Sequence, residues 1–357
     1  MSTAESTAET ATAETATAET ATAETATAER ATAETAGTLG SAVGTTGAET
    51  QEERRTPGLV PVAESMRTTE RRPPEPSASA PAPVAGRAWA FWRLLGSELG
   101  LTFRRPRNLM MLAVLGVVPI VIGVALRLVA SEEGMGGLVQ DVVGNSLMLT
   151  FVSFSFLVLL LMPVAVSVVA GDSIAGEAGA GTLRYLLAAP AGRTRLLLVK
   201  YLNAVVFAYA VTAVVALTAL VTGLILFPAG SVTLLSGSTI SMADGLLRIL
   251  IAVGYVGAGM AALAAVAVAL STFTEVSIGA IAATMVLVIV CQVLRAIPEL
   301  GSITPYLLPS KFTNFDAVLR SPIDFGSLRD GLLAFGAYIV LFGSIAWARF
   351  SGKDITS

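Results

Sequence analysis

The sequence predicts an all-α membrane protein: six transmembrane helices, an amphipathic in-plane helix ahead of them, and a disordered tail in front. Three observations predict it. Of the 357 residues, 54% are hydrophobic and only 14% charged, where a soluble domain carries about 25% charged residues. The mean hydropathy is +0.73. Six apolar segments each come close to the roughly 20 residues that cross a bilayer. Composition also excludes several chemistries. There is no His, which removes His-based triads, His metal sites and His proton relays. The single cysteine, Cys291, excludes an intrachain disulfide framework and any multi-cysteine metal site. The net charge of −3 gives no field for nucleic acid, so no nucleic-acid partner is expected.

Residues 1–86 differ from the rest. Glutamates recur every five residues from Glu9 to Glu34 in an Ala-Glu-Thr-Ala-Thr repeat. On a helix they would spiral by about 140° per repeat and leave no apolar stripe. Nothing in the repeat is large enough to bury, so it reads as a disordered cytoplasmic tail. A Pro-rich linker follows, from Pro57 to Pro83. A solubilising role and a docking or clustering role both remain open, and initiation at Met66 would remove the repeat. The tail holds 6 basic and 13 acidic residues; residues 87–357, the membrane domain, hold 17 basic and 13 acidic. The acidic whole thus contains a basic membrane domain.

The in-plane helix comes first in that domain. Trp89, Trp92, Leu95, Leu99 and Phe103 are spaced 3, 3, 4 and 4, with Arg93, Ser97, Gly100 and Arg104 opposite. That is an amphipathic helix suited to the membrane surface, with membrane lipid as its partner. Arg104-Arg105-Pro106-Arg107 then ends it and anchors the first span. The spans are expected at about 108–129, 146–170, 199–227, 245–270, 277–296 and 331–348. Pro119 and Pro163 are expected to kink the first two. Gly254, Gly257, Gly259, Ala261 and Ala262 give the fourth a small-residue face for close helix packing. With both ends inside, eleven Lys and Arg fall on the inner side and six on the outer. The positive-inside rule therefore places both termini in the cytoplasm. Trp89, Trp92 and Trp347 would all lie at the inner interface, where amphipathic rings collect.

The most informative segment is 171–200. Asp172 and Glu177 stand at the end of a long apolar run, and Gly179 and Gly181 mark a turn. Thr182 is a good N-cap for a short helix from Leu183 to Ala189, which Pro190 stops. Leu183, Leu186 and Leu187 make that helix semi-apolar, while Arg193, Arg195 and Lys200 set the inner boundary of the third span.

The pattern of Asp172, Glu177 five residues on, Gly181-Thr182-Leu183-Arg184, Leu186-Leu187, Pro190 and Arg193 resembles the signature of the ABC-2 family of ATP-binding-cassette transporter permeases. The resemblance covers about residues 87–357 and rests mainly on 171–200. It implies six spans with both ends inside, an in-plane helix before the first, and a coupling helix after the second that seats in a groove of an ATPase subunit. By position, Thr182–Ala189 would make that contact, shaped by Asp172, Glu177, Arg184 and Arg193. For these four charges, inner-leaflet anchoring and loop capping stay open as the alternative. The turn Ser271–Val276, with Glu275, is a second contact candidate.

The sequence contains no P-loop motif. The chain is therefore not expected to be an enzyme or to hold a cofactor; ATP and Mg would sit on a partner ATPase. The resemblance implies two permease copies, or a homologous pair, working in the plasma membrane as an exporter of drug-like, lipid or other amphipathic substrates. The competing reading is an ion-coupled secondary transporter or channel with no ATPase. It is disfavoured because no charged residue falls well inside the expected spans. Asn203, Tyr209 and Gln292 read as helix-packing residues. The stretch from Pro298 to Asp330, with Phe312, Phe315 and Phe325, should fold over the outer mouth as a packed cap rather than a gate.

Overall fold

The computed structural model describes residues 84–129, 145–181, 192–228, 232–233 and 239–352. It is all-α. Helix α1 (Val84–Arg104) leads into α2 (Pro106–Val129), α3 (Met148–Leu157), α4 (Leu161–Gly179) and α5 (Arg193–Leu226). A two-residue antiparallel pair, β1 (Val232–Thr233) with β2 (Thr239–Ile240), precedes α6 (Met242–Ser271) and α7 (Ser277–Ala296). Short 3₁₀ turns and α8 (Leu308–Phe312) then lead to α9 (Phe325–Ser351). Six of these helices, α2, α4, α5, α6, α7 and α9, are long and apolar enough to cross a membrane. The Ala-Glu-Thr repeat and Pro-rich stretch lie outside the described residues.

Five spans match expectation, most of them with longer ends. The second differs. In place of one kinked helix at 146–170, the chain forms α3 and α4 with a break at Val158–Leu160. The cause is Pro163. It has no N–H for the carbonyl of Leu159, four residues back, and its ring crowds that carbonyl. Leu160 leaves the helical region at φ −139°, ψ −59°, and α4 restarts with Pro163 in its first turn. The freed Leu159 carbonyl accepts instead from the Gln292 side-chain amide on α7, at 3.4 Å. In lipid such a group needs a protein partner, because no water is there to serve. Arg295 completes the patch by donating to the Gln292 carbonyl at 3.1 Å and to the Pro309 carbonyl at 3.3 Å. Pro119, by contrast, stays inside a continuous α2.

Helix α6 is the central post. In its most apolar stretch 72% of residues are buried, against 17% for α7 and for α9. It packs on α4, α5 and α9. Its N-terminus is capped by Ser241, whose hydroxyl accepts from the Asp244 N–H at 3.1 Å. Close approach depends on glycines. A Cβ at Gly257 would collide with the Tyr209 ring on α5. A Cβ at Gly331, on α9, would collide with the Tyr255 hydroxyl on α6. Gly259, Ala261 and Ala262 are buried too, whereas Gly254 faces open space and takes no part.

Within the segment from Pro298 to Asp324, residues 308–319 form a packed cap, whereas 301–303, Tyr306 and 320–322 are exposed. Phe312 and Phe315 are buried, with Phe315 against Phe154 of α3 and Phe312 against Phe335 of α9. Each such ring pair adds about 0.5–1.5 kcal/mol beyond its buried area. Arg248 of α6 donates to the main-chain carbonyls of Val318 and Arg320, and Tyr255 donates to the Lys311 carbonyl at 2.8 Å. Phe325 is exposed and does not join the cap. Burial pushes the Asp316 carboxyl above its usual range, with Arg320 pulling the other way. Asp324 caps α9. The Ser327 hydroxyl and N–H donate to it and hold its carboxyl below the usual range.

Two outcomes test these features. Gln292→Leu should cost about 1 kcal/mol in thermal unfolding, and less in a Pro163→Ala background, where the substituted residue supplies the missing N–H. Asp324→Ala should lower the melting temperature at pH 7. Its carboxyl is depressed on folding, so the contribution is present above the unfolded value near 3.9 and fades as pH falls through the lower folded value. The wild-type and variant melting curves should therefore converge in acid.

Candidate functional site

The arginine-rich end of the bundle carries the most concentrated polar chemistry. It collects the start of α2, the end of α4, the start of α5, the α6–α7 turn and the end of α9. Pro106 opens α2 at the first helical position, where a missing N–H costs nothing. This sets Arg105 just before the helix and Arg107 just inside it. Both guanidiniums donate to the same Asp172 oxygen on α4, at 2.9 and 2.8 Å. The Ser277 hydroxyl at the start of α7 also bonds Asp172.

One turn and a half further along α4, Glu177 pairs with Lys200 of α5. Lys200 is only 4% exposed, and its ammonium also donates to Glu98 of α1 at 2.7 Å. The neighbouring contacts are neutral. The Asn203 amide N–H donates to the Thr102 hydroxyl at 2.8 Å, and the Asn108 amide N–H to the Thr102 carbonyl at 2.9 Å. The Asn203 carbonyl oxygen is buried with no hydrogen-bond partner among the described residues. These groups line a cavity of about 280 Å³. Its walls hold three carboxylates (Glu98, Asp172, Glu177) and three cations (Arg105, Arg107, Lys200), so the formal charges balance. Burying Lys200, Glu98, Glu177 and Asp172 as ions is costly unless each finds a partner, and the geometry supplies one for each, the partners of Asp172 being the two more exposed arginines.

The residues singled out from sequence divide into three groups. Asp172 and Glu177 come together through the cations just named. Gly181 ends α4 at φ +69° and Gly192 precedes α5 at φ +78°, so the chain leaves and re-enters on two left-handed glycines. Arg193 does not join the cluster. It donates to the Ser351 carbonyl at 2.8 Å and so caps the end of α9, beside the Trp347 indole N–H on the Thr194 hydroxyl at 3.1 Å. Thr182, Leu183, Arg184, Leu186, Leu187 and Pro190 lie outside the described residues, as does the short helix expected there. The α6–α7 turn packs on the end of α4. A Cβ at Gly179 would fall 2.6 Å from the Glu275 carbonyl oxygen, and Arg349 lies over the Phe273 ring at 5.6 Å.

Helix α1 is divided along its length. Leu95 is buried, Leu99 and Phe103 are half-buried, and Phe103 lies 5.9 Å from the Phe207 ring of α5. Trp89 and Trp92 are 65% and 67% exposed. The five residues therefore do not form one contact surface. The C-terminal half of α1 packs on α5, and the tryptophans stay outside.

Sequence reasoning missed Glu98 and the burial of Lys200, which it placed as a boundary cation. The third span starts six residues earlier than expected, so Lys200 sits two turns inside α5. The signal was present. Glu98 and Thr102 fall at helical spacing between Leu95, Leu99 and Phe103, polar residues on the face that packs.

Fold and site together define an all-α protein of the integral membrane class. Residues 109–356 match the family described as a protein of unknown function (DUF2705); the chain belongs to that family. A search of curated proteins returned no match.

If the Lys200 cluster stabilises the fold, removing only the cation should be worse than removing all three charges. Lys200→Met leaves two carboxylates half-buried together and should cost about 3–5 kcal/mol. The triple variant Lys200→Met, Glu98→Gln, Glu177→Gln should recover most of that loss. Size-exclusion melting curves in detergent measure both.

Proposed function

We propose that this chain is the membrane-spanning subunit of an ATP-driven transporter of ABC-2 type, an exporter of amphipathic substrates in the plasma membrane. It would work as a pair of permeases with both termini cytoplasmic and a separate ATPase below. One observation carries the reading. The resemblance puts the ATPase contact at Thr182–Ala189, in the connection between α4 and α5, and the facing ends of those two helices carry the Glu98–Lys200–Glu177 and Asp172–arginine pairs. Those pairs join α1, α2, α4 and α5. A push on the loop would thus reach four helices at once rather than one flexible connection. Six helices long enough to span and an amphipathic N-terminal helix ahead of them, seated on the bundle by its C-terminal half, suit the same architecture.

A second reading draws on the same cluster. Asp172, Glu177 and Lys200 lie inside helices α4 and α5, and ionisable groups inside spanning helices are the equipment of ion-coupled carriers. It predicts gradient-driven transport with no ATPase present.

The test separates the two. Leu186→Asp, which leaves every observed ion pair in place, should abolish co-purification of a P-loop ATPase and lower ATP-driven export by at least about tenfold, the worth of roughly 1.4 kcal/mol, with membrane insertion unchanged. Unchanged co-purification would remove the coupling assignment. Uptake into ATPase-free vesicles under a proton or sodium gradient would favour the carrier.

A further inference from the structure

Beside the polar cavity runs a second one, of opposite character. It is a groove of about 620 Å³ between α2 and α4, walled by Met110, Val114, Leu160, Val164 and other apolar side chains, and open along its side. Its upper wall exists because of the helix break. The chain re-forms at Leu161 with Leu160 and Val164 turned toward α2 rather than continuing α3. Met110 and Val114 are among the most exposed large apolar residues of α2, at 69% and 58%. From Arg107 to Val114 the groove follows eight residues, about 10 Å of helix.

Arg107 lines both spaces. It stands at the mouth of the apolar groove and on the rim of the charged cavity. Its guanidinium and that of Arg105 meet at one Asp172 oxygen, so one carboxylate balances one of the two cations. The arginine side chains remain 47% and 57% exposed while Asp172 is 14% exposed. A guanidinium has five N–H donors; one on each arginine goes to Asp172 and one on Arg107 reaches the Asn108 side-chain oxygen at 3.5 Å, three of the ten on the pair. The charges of the cluster sum to zero, but they are separated: Glu98 and Glu177 face Lys200 on the inner wall, and the surplus cation lies at the groove. Arg104 adds a further positive charge next in sequence.

An apolar slot ending at a partly satisfied pair of arginines suits a molecule with an acyl chain and an anionic head. We infer that the α2–α4 groove is a binding site for an anionic phospholipid, its chain against Met110, Val114 and Val164 and its phosphate on Arg107 and Arg105. Guanidinium and phosphate form strong two-pronged hydrogen bonds. A second copy is a poorer occupant. A two-fold pairing on this face would bring the arginine rims of both copies into one interface, like charge beside like. The inference requires neither an ATPase nor a transported substrate, so it stands apart from the proposed function.

The test uses the full chain, purified in mild detergent and offered phosphatidylglycerol or phosphatidylcholine with identical acyl chains, with retained lipid counted by native mass spectrometry. Phosphatidylglycerol should be retained about tenfold more strongly, the worth of a charged hydrogen bond. Arg107→Gln should erase most of that preference and Arg107→Lys should keep only part of it, since an ammonium retains the charge but not the two-pronged contact. Val164→Trp should displace both lipids by filling the groove; Met110→Trp, at an exposed lining position, serves if that variant fails to fold. Equal retention of the two lipids by the wild type would overturn the inference, as would lipid binding unchanged in Arg107→Gln or in the groove-filling variant. Competition by inorganic phosphate as strong as by phosphatidylglycerol would remove the acyl chain from the argument. Efficient disulfide-linked dimers of Val114→Cys in native membranes would show that a second copy covers the groove.

Discussion

A single buried ammonium organises the arginine-rich end of this protein. Lys200 reaches Glu98 on α1 and Glu177 on α4 from its position on α5, and so ties together partners that lie 102 and 23 residues away in sequence. An isolated charge in such a place is too costly to keep. The lysine therefore dictates that both acidic partners be present, and their positions dictate where α1 and α4 lie. The packing of Phe103 on Phe207 and the Thr102–Asn203 bond fit only in that arrangement. Helix α1 gains a fixed seat on the bundle, although half of it is exposed. Asp172 plays a similar part for α2 by receiving the arginines on either side of Pro106.

The far end is assembled from other forces. There the Phe154–Phe315 and Phe312–Phe335 contacts bury rings, and Arg248, Tyr255 and Tyr338 donate to main-chain carbonyls of the cap. Carbonyls of short turns need partners, since these turns do not satisfy them internally. The long polar side chains of α6 and α9 meet that need, and Gly331 leaves room on α9 for the Tyr255 hydroxyl, while Gly257 admits the Tyr209 ring of α5 against α6.

Much of the fold was legible in the sequence because lipid imposes a simple rule. A span must be apolar and about 20 residues long, so all six appear as runs of Val, Leu, Ile and Ala. What the rule cannot register is where a helix continues past the apolar run. Helix α4 extends through Asp172 and Glu177 because Asp172 pairs with Arg105 and Arg107 and Glu177 pairs with Lys200 across the helix gaps, and α5 begins as early as Arg193, which caps the end of α9. The break at Val158–Leu160 was hidden for a related reason. Pro163 announced a disturbance, but its form depends on Gln292, 129 positions away in the sequence, offering an amide to the freed carbonyl. At the site, Asp172 and Glu177 stood out as acids beside an apolar run. Glu98 did not, since one Glu on an amphipathic helix looks like part of its polar face until Lys200 is placed opposite it.

The contrast between the two ends bears on how the molecule moves. Packed rings and glycine contacts lose energy with any small displacement, for an interior at crystal density has no spare volume. They make the cap end a poor hinge. The other end is joined by long, flexible side chains around a cavity of about 280 Å³. Ion pairs between such side chains can stay formed while the helices carrying them slide by an ångström or two, and the space to do so is already present. Relative motion of α1, α2, α4 and α5 should therefore be greatest at the arginine-rich end, with α6 and the cap as the fixed frame. That is the same end at which the chain between α4 and α5 emerges, so whatever acts on that connection works on the softest part of the bundle through its strongest electrostatic ties.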